Sequence, residues 1–219
     1  MRKFVACINK LPDISEPDMK KRLFILISFT IFNFGNAQNC IDFDLSKVYD
    51  FDIMLKSKDN IDLGKAEIII GIHDKTKQKK VQTINIESEF ILKSKSFKEC
   101  QNNKKYSANE YLKSNENDFG DLIAADLNFD GKEDIAIKRE EGGNGGPLYN
   151  FYIQSKNQKF ILDTYLSNEM SYFPDYIDIE NKTLQIHVRV NSATEEGITY
   201  YYAEKNKTWS VMKKIKYRN

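Results

Sequence analysis

The stretch "DLNFDGKED", Asp126 to Asp134, alternates acidic and amide side chains around one glycine, between the apolar runs "LIAAD" and "DIAIK". Counted from Asp126, side-chain oxygens fall at the first, third, fifth and ninth positions (Asp126, Asn128, Asp130, Asp134). Lys132 offers its backbone carbonyl at the seventh. This spacing lets oxygen donors converge on one hard cation, and Gly131 at the sixth position permits the sharp turn. An all-oxygen set favours calcium over zinc or copper; magnesium takes fewer protein ligands in a tighter octahedron. An EF-hand is excluded, because its twelfth position, where a bidentate carboxylate is needed, is Ile137. Both flanks also read as strands rather than helices. The expectation is therefore a strand–loop–strand calcium site, with one Ca2+ in a structural role. The alternative is an Asp/Asn-rich turn that caps its own backbone.

Outward from the loop, strand patterns dominate. "FDIMLK" at Phe51–Lys56, "AEIIIGI" at Ala66–Ile72 and "VQTINIESEFIL" at Val81–Leu92 precede it. "LYNFYIQ", "KFILDTYL", "TLQIHVRV", "ITYYYAE" and "WSVMKKIKY" follow it. In "TLQIHVRV", Leu184, Ile186, Val188 and Val190 alternate with Gln185, His187 and Arg189, the period of a half-buried strand. Polar turns such as "QSKNQK" and "AEKNKT" separate these runs as in antiparallel hairpins. One short segment, Ser107 to Glu116, carries a capping-box pattern and is expected to be helical. The fold class predicted is all-β, built of short antiparallel sheets that radiate as propeller blades or, alternatively, stack as a β-sandwich.

The N-terminal region reads as an export signal. Lys20, Lys21 and Arg22 precede the apolar run Leu23–Phe34, and Gly35 and Ala37 supply small residues before a cut after Ala37. Residues 19–37 are thus expected to be a signal peptide, and residues 1–18, with Pro12 and Pro17, an upstream start artefact ahead of Met19. Residues 38–219 form the expected single β domain, periplasmic or secreted, with no stable membrane span once the signal is cleaved. "AQN" before Cys40 lacks the lipoprotein pattern, which favours a soluble product. Cys40 and Cys100 remain after cleavage, an even pair that suggests a disulfide in an oxidising compartment, two free thiols being the alternative. With 41% hydrophobic residues the chain can build a core, and a net charge of +1 leaves no basic surplus for nucleic acid.

"DLIAADLNFDGKEDIAI" resembles the calcium loops of FG-GAP and VCBS-type β-propeller repeats. Its continuation "NFDGKEDIAIKREEGGNGGPLYNFYIQSKNQKFILD" resembles small bacterial envelope proteins with an "NFDG..D" loop and a "GNGGP" turn. The resemblance runs from about Asp121 to Asp163. Some relatives are periplasmic, propeller-like inhibitors of lysozyme-type peptidoglycan hydrolases that act as immunity proteins, in which a loop plugs the hydrolase cleft. Carried over, the partner-binding candidate is Gly142, Gly143, Asn144, Gly145, Gly146, Pro147 and Tyr149, with Tyr149 as an amphipathic anchor. The same turn read without the resemblance is a tight structural connection between strands.

Catalytic groupings are not found. The Gly142–Gly146 run is no phosphate loop, since no Lys-Ser/Thr pair or helix follows. His73 and His187 lack metal-ligand spacing, and no nucleophile motif occurs. Glu140 and Glu141 are adjacent on a strand and so point to opposite faces, which does not suit glycoside chemistry. The reading is a non-enzymatic, exported, calcium-stabilised protein that binds a protein partner, a peptidoglycan hydrolase being the expected target. The alternative is an envelope structural or carbohydrate-binding module, with Tyr200–Tyr202 as a stacking surface.

Overall fold

The computed structural model describes residues 37–114 and 117–218. The expected start artefact and all of the expected signal peptide except Ala37 lie outside the described residues. The first sheet is an antiparallel meander of β1 (Ala37–Asp42), β2 (Tyr49–Ser57), β3 (Leu63–Asp74) and β4 (Lys79–Leu92). The second holds β5 (Lys104–Lys105), β6 (Leu122–Ala125), β7 (Asp134–Gly143), β8 (Gly146–Gln154) and β9 (Phe160–Asp163), antiparallel except where β5 runs parallel to β6. The third is the meander β10 (Tyr176–Asp178), β11 (Thr183–Asn191), β12 (Thr194–Ala203) and β13 (Thr208–Arg218). The described residues are all-β, and none of their three sheets closes on itself.

Residue chemistry explains each sheet's inner face. In β2, Tyr49, Phe51, Ile53 and Leu55 alternate inward, and in β3 Ala66, Ile68, Ile70 and Ile72 do the same. Ile53, Ile70 and Ile84 stand opposite one another on β2, β3 and β4, a β-branched ladder suited to a pleated surface. Each such buried side chain contributes roughly 1.5–3 kcal/mol from leaving water.

The second sheet differs, because both of its faces are covered. Leu122, Ala124, Ile135, Ile137 and Tyr152 join the core built on the first sheet. Ile123, Ala125, Ala136, Tyr149 and Phe151 join the core built on the third. All four residues of β6 are therefore buried. Burial on both faces is why "LIAA" and "IAI" are unbroken apolar runs rather than alternating ones.

Side chains stitch the layers where strands do not pair. Gln82 of β4 uses both ends of its amide on Phe160 of β9, donating to its carbonyl at 2.8 Å and accepting from its N–H at 2.9 Å. It extends the ladder as a strand would. Trp209 Nε1 donates to Asp163 Oδ2 at 3.1 Å, joining β13 to the end of β9.

The helix expected at Ser107–Glu116 does not form among its described residues. Asn109 takes a left-handed φ of 65°, and the N–H groups of Asn109 and Leu112 donate to Ile177 and Asp175 carbonyls at 2.7 and 2.8 Å. Tyr111 bridges Tyr176. Pairing with β10 satisfies the backbone that a short, marginal helix would have left half-capped.

Cys40 on β1 and Cys100, in a single 3-10 turn at Lys98–Cys100, form a disulfide with Cα atoms 5.7 Å apart across a sequence separation of 60. It ties an edge strand to the connection leading into the second sheet. A loop of this length restricts the unfolded chain by about 4 kcal/mol in the chain-entropy estimate. The Cys40→Ser/Cys100→Ser double variant is expected to lose about 2–4 kcal/mol. By differential scanning calorimetry this is a fall in Tm of roughly 4–16 °C; an unchanged Tm would assign the bridge no stabilising role.

Candidate functional site

The acidic loop connects β6 to β7, and its odd and even positions do different work. Leu127 and Phe129 turn into the core of the third sheet, where the Phe129 ring lies 6.2 Å from Trp209 and 6.4 Å from Tyr202. Phe129 is held at φ 63°, an uncommon value for a side chain of its size. Gly131 takes φ 79°, the left-handed turn expected at the sixth position.

The polar residues organise the loop backbone. Asp126 Oδ1 and Asn128 Oδ1 both accept from the Asp130 N–H, at 3.1 and 3.0 Å, so these two oxygens converge. Asp126 Oδ2 accepts from Gly131 N at 2.9 Å. Asp130 Oδ1 accepts from Lys132 N at 3.0 Å, and the Lys132 ammonium lies 2.6 Å from Asp130 Oδ2. Asp134 is buried and accepts three backbone N–H groups, from Leu127 (2.9 Å), Asn128 (3.2 Å) and Gln154 (2.7 Å). Burial pushes Asp134 up to about 7, outweighing those donors, and burial likewise raises Asp126. Glu133, which stands outside the ligand spacing, accepts from Ser46 Oγ and pairs with Lys105.

The donor set fits a cation in part. Asp126 Oδ1 and Asn128 Oδ1 converge, and Asp126 carries a desolvated charge that a cation would neutralise, whereas the Asp130 carboxylate is engaged by the Lys132 N–H and ammonium. Asp134 instead spends three of its roughly four lone-pair sites on the backbone, so its visible task is folding the loop. Among the described residues no group of three or more His, Cys, Asp or Glu side chains forms a metal-holding cluster. Self-capping and oxygen donation are both compatible with this geometry, since a carboxylate oxygen can accept an N–H and still face an ion.

The glycine-rich turn stands at the other end of β7. That strand has ten residues, so loop and turn are separated by about 30 Å and are two sites rather than one. Gly143 pairs with Gly146, and Asn144 and Gly145 form the turn. Gly142 has φ 66°, and a Cβ there would stand 2.0 Å from the Gly146 carbonyl oxygen. A Cβ on Gly145 would meet the Tyr172 ring and hydroxyl at 2.7–2.9 Å. Asn117 Nδ2 donates to the carbonyls of Gly145 and His187, each at 3.0 Å, pinning the turn to the third sheet. Only Gly142, Gly143 and Asn144 of the turn are exposed; Gly145, Gly146 and Pro147 are buried.

Tyr149 corrects an expectation. It is fully buried, donating from its hydroxyl to the Gly120 carbonyl at 3.0 Å and accepting from Phe119 N at 3.3 Å. Burial raises its hydroxyl well above the ordinary range. It supports the hairpin from the core and offers no surface anchor. The Tyr200–Tyr202 surface is corrected too: Tyr200 lies in the core, Tyr202 packs against it, and Tyr201 alone of the three faces outward.

Beside the turn lies a cleft of about 1270 Å³, to which the end of β4, the β7–β8 hairpin and the β11–β12 end all contribute. Buried Lys138 forms its floor, with Nζ 2.8 Å from Asp118 Oδ2 and 2.9 Å from Asp121 Oδ1. Burial pushes Asp121 up, partly countered by Lys138. Burial acts to lower Lys138, but Asp121 and Asp118 together outweigh it and hold the ammonium above the usual lysine range. Glu141 Oε1 accepts from Leu92 N at 3.1 Å and Ser96 Oγ at 2.6 Å, and Glu141 but not Glu140 lines the cleft. The signal in the sequence was a lysine closing the apolar run "IAI" with Asp121 opening the preceding strand.

The fold and these sites define an all-β, disulfide-linked protein of three layered sheets with one acidic loop and one glycine-rich hairpin. A solved structure described as "Structure of a Xanthomonas Type IV Secretion System related protein" is similar in fold, with a TM-score of 0.55. The similarity spans 85% of this chain and 84% of that one at 15% identity, a likeness of fold alone. No protein-family model matches the chain, and no curated protein matches it in sequence.

Gly142→Ala is expected to destabilise the protein by roughly 1–3 kcal/mol through strain and collision. Gly143→Ala, where a Cβ meets nothing within 4 Å and φ is not left-handed, should be near neutral. Urea unfolding midpoints of the two variants compare them directly; equal midpoints would show that the turn adopts another conformation.

Proposed function

We propose that this chain is an exported, non-enzymatic β protein that uses the exposed tip Gly142–Gly143–Asn144 to engage a protein partner, a lysozyme-type peptidoglycan hydrolase, as an inhibitor or immunity protein. The observation that carries the reading is a narrow, side-chain-poor tip on a hairpin held rigid by Tyr149, Asn117 and Tyr172. A pre-ordered loop loses little entropy on entering a cleft, which favours affinity. Export, to the periplasm or outside the cell, is supported by the signal pattern and by the Cys40–Cys100 bridge, which persists in oxidising compartments. Three consecutive sheets of four, five and four strands, layered in chain order, support a propeller-like arrangement of FG-GAP type over a two-sheet sandwich. Among the described residues no helix is long and apolar enough to cross a membrane.

The acidic loop belongs to the same reading as a structural calcium site. Asp126, Asn128 and Asp130 would supply side-chain oxygens, Lys132 its carbonyl, and Asp134 its remaining lone pair; the bound ion would supply only charge neutralisation. The loop already joins β6 to β7 and is clamped by Leu127 and Phe129, so an ion would fix geometry rather than trigger a change.

Two measurements test these statements. Calcium is expected to raise Tm in the wild type relative to chelator, and Asp130→Ala should abolish most of that gain while leaving the calcium-free Tm nearly unchanged. Identical wild-type melting curves with calcium and with chelator would remove calcium from the account. Separately, turbidity assays of peptidoglycan lysis should show inhibition of a lysozyme-type hydrolase that weakens at least tenfold in Asn144→Trp, where bulk is added to the tip. Full inhibition by that variant would move the contact away from the hairpin.

A further inference from the structure

The outer edge of the third sheet is both open and basic. β13 pairs with β12 on one side, and among the described residues no other strand or backbone group pairs with its far edge. Of its eleven residues Trp209 alone is buried. A register shift at Met212, which is 69% exposed, divides the strand. Trp209 packs on the core before the shift, and Lys213–Arg218 runs on beyond it. This second half carries Lys213, Lys214, Lys216 and Arg218, and β13 contains no acidic residue.

Register fixes where these charges point. Lys214, Lys216 and Arg218 alternate with Ile215 and Tyr217, so the three cations share one face. Glu196 of β12 lies on that face, 2.7 Å from Lys214 Nζ and 3.2 Å from Lys216 Nζ. Glu196 is buried, whereas the two lysine side chains stay 51% and 69% exposed. The carboxylate therefore aligns the ammonium groups without withdrawing them from solvent. Alternate residues of a strand repeat at about 6.8 Å, the same repeat that a neighbouring strand presents. The opposite face carries Lys213, Ile215 and Tyr217, with the Tyr217 ring lying over Gly197, where a Cβ would stand 3.2 Å from it.

We propose that Lys213–Arg218 is the docking edge for an extended acidic segment of a protein partner, which adds to the third sheet as a further strand. Such a segment pairs its main chain with the free edge and sets carboxylates opposite Lys214, Lys216 and Arg218. Its intervening side chains, β-branched or apolar, meet Ile215 and Tyr217 on the other face. Charge complementarity selects this occupant. A second copy of β13 would set lysines against lysines, which is destabilising across a strand pair. A nucleic acid or an anionic membrane would use the cations and leave the backbone edge and the apolar face unused. Lysines on an edge repel indiscriminate strand pairing, and here the same charges admit an acidic strand. The inference goes beyond the hydrolase reading and does not rest on it, since that reading concerns the hairpin of the second sheet.

The test is fluorescence anisotropy of the full chain with a labelled peptide of roughly nine residues, enough to cover Lys213–Arg218, in which Glu alternates with Val and Thr. Saturable binding with a Kd below about 1 mM is expected. Lys214→Gln/Lys216→Gln should weaken it about tenfold, the loss of two exposed charge pairs. Because Glu196 loses its partners in that variant, Arg218→Gln supplies a second measurement, with a loss of about two- to fivefold. Lys205→Gln, in the β12–β13 turn, should change nothing. A peptide of equal composition with its glutamates gathered at one end should bind at least about fivefold more weakly. N-methylation of one set of alternate peptide residues should abolish binding and of the other set should be tolerated, because an added strand turns every second N–H toward its neighbour. No saturable binding, equal binding of the gathered peptide, equal effects of the two methylation sets, or undiminished binding in both variants would each overturn the proposal. Sedimentation of the free protein as a dimer that Lys214→Gln/Lys216→Gln tightens would assign the edge to a second copy instead. Hydrolase inhibition should be unchanged in Lys214→Gln/Lys216→Gln, so failure of the strand site and failure of the hairpin reading are told apart.

Discussion

Coverage of the second sheet on both faces is the constraint from which the rest of the structure follows. A strand buried on two sides can present no solvent face, so β6 and the first half of β7 are apolar throughout, and polar groups enter only at their ends or in pairs. Each face then needs its own cover. The isoleucine ladder of the first sheet supplies one, and the aromatic cluster around Phe151, Phe173 and Trp209 supplies the other. The acidic loop and the glycine hairpin both lie where β7 leaves this double cover. At those ends backbone N–H and C=O groups emerge and must find partners. Asp134 at one end and Asn117 at the other provide them.

The same constraint makes Lys138 instructive. It sits on β7 at the rim of the double-covered zone, almost without exposure, and two carboxylates meet it. A buried ion pair seldom adds net stability against well-packed apolar groups, because desolvation of the charges offsets their attraction. Its value here is positional. Asp121 also accepts from Phe97 N at 2.7 Å, so a single carboxylate fixes the connection after β4 to the strand carrying the hairpin. The Cys40–Cys100 bridge acts on that same connection three residues further on. Covalent and ionic ties converge on a segment with no strand partner of its own.

Much of this was legible from residue patterns, and the misses have physical causes. Strand periodicity located β2, β3, β4 and β11 because each has a face whose burial the alternation records, whereas β13 buries Trp209 alone and was marked by its β-branched and aromatic residues. The cysteine pair was readable from parity. The Ser107–Glu116 segment misled because a capping box reports only local preference, and the competing donors lay on β10, far along the chain. Tyr149 misled for a related reason. Placed in a strand run yet carried over with the neighbouring glycine turn as a surface anchor, it alternates on β8 with Leu148 and Asn150 and falls on the inward face with Phe151. Beyond the Lys138–Asp121 pair at its floor, the cleft was not readable, since Leu92, Lys138 and His187 come from three different sheets and no spacing in the sequence links them.

The acidic loop shows why a motif can be recognised and still be incompletely understood. Its spacing suggests an ion, yet the loop also makes several tertiary contacts. Phe129 reaches Trp209 of the third sheet, Glu133 meets Ser46 in the connection between β1 and β2, and the same carboxylate pairs with Lys105 at the sheet's own edge. The loop is therefore a junction at which all three sheets meet, and its left-handed residues, Phe129 and Gly131, set the direction from which β7 departs. An ion placed among Asp126, Asn128 and Asp130 would act on that departure. A bistable sensor needs a loop free to take two arrangements; one anchored at both hydrophobic positions and at Glu133 has little freedom to do so. The placement of the loop, more than its ligand spacing, argues for a fixed structural role.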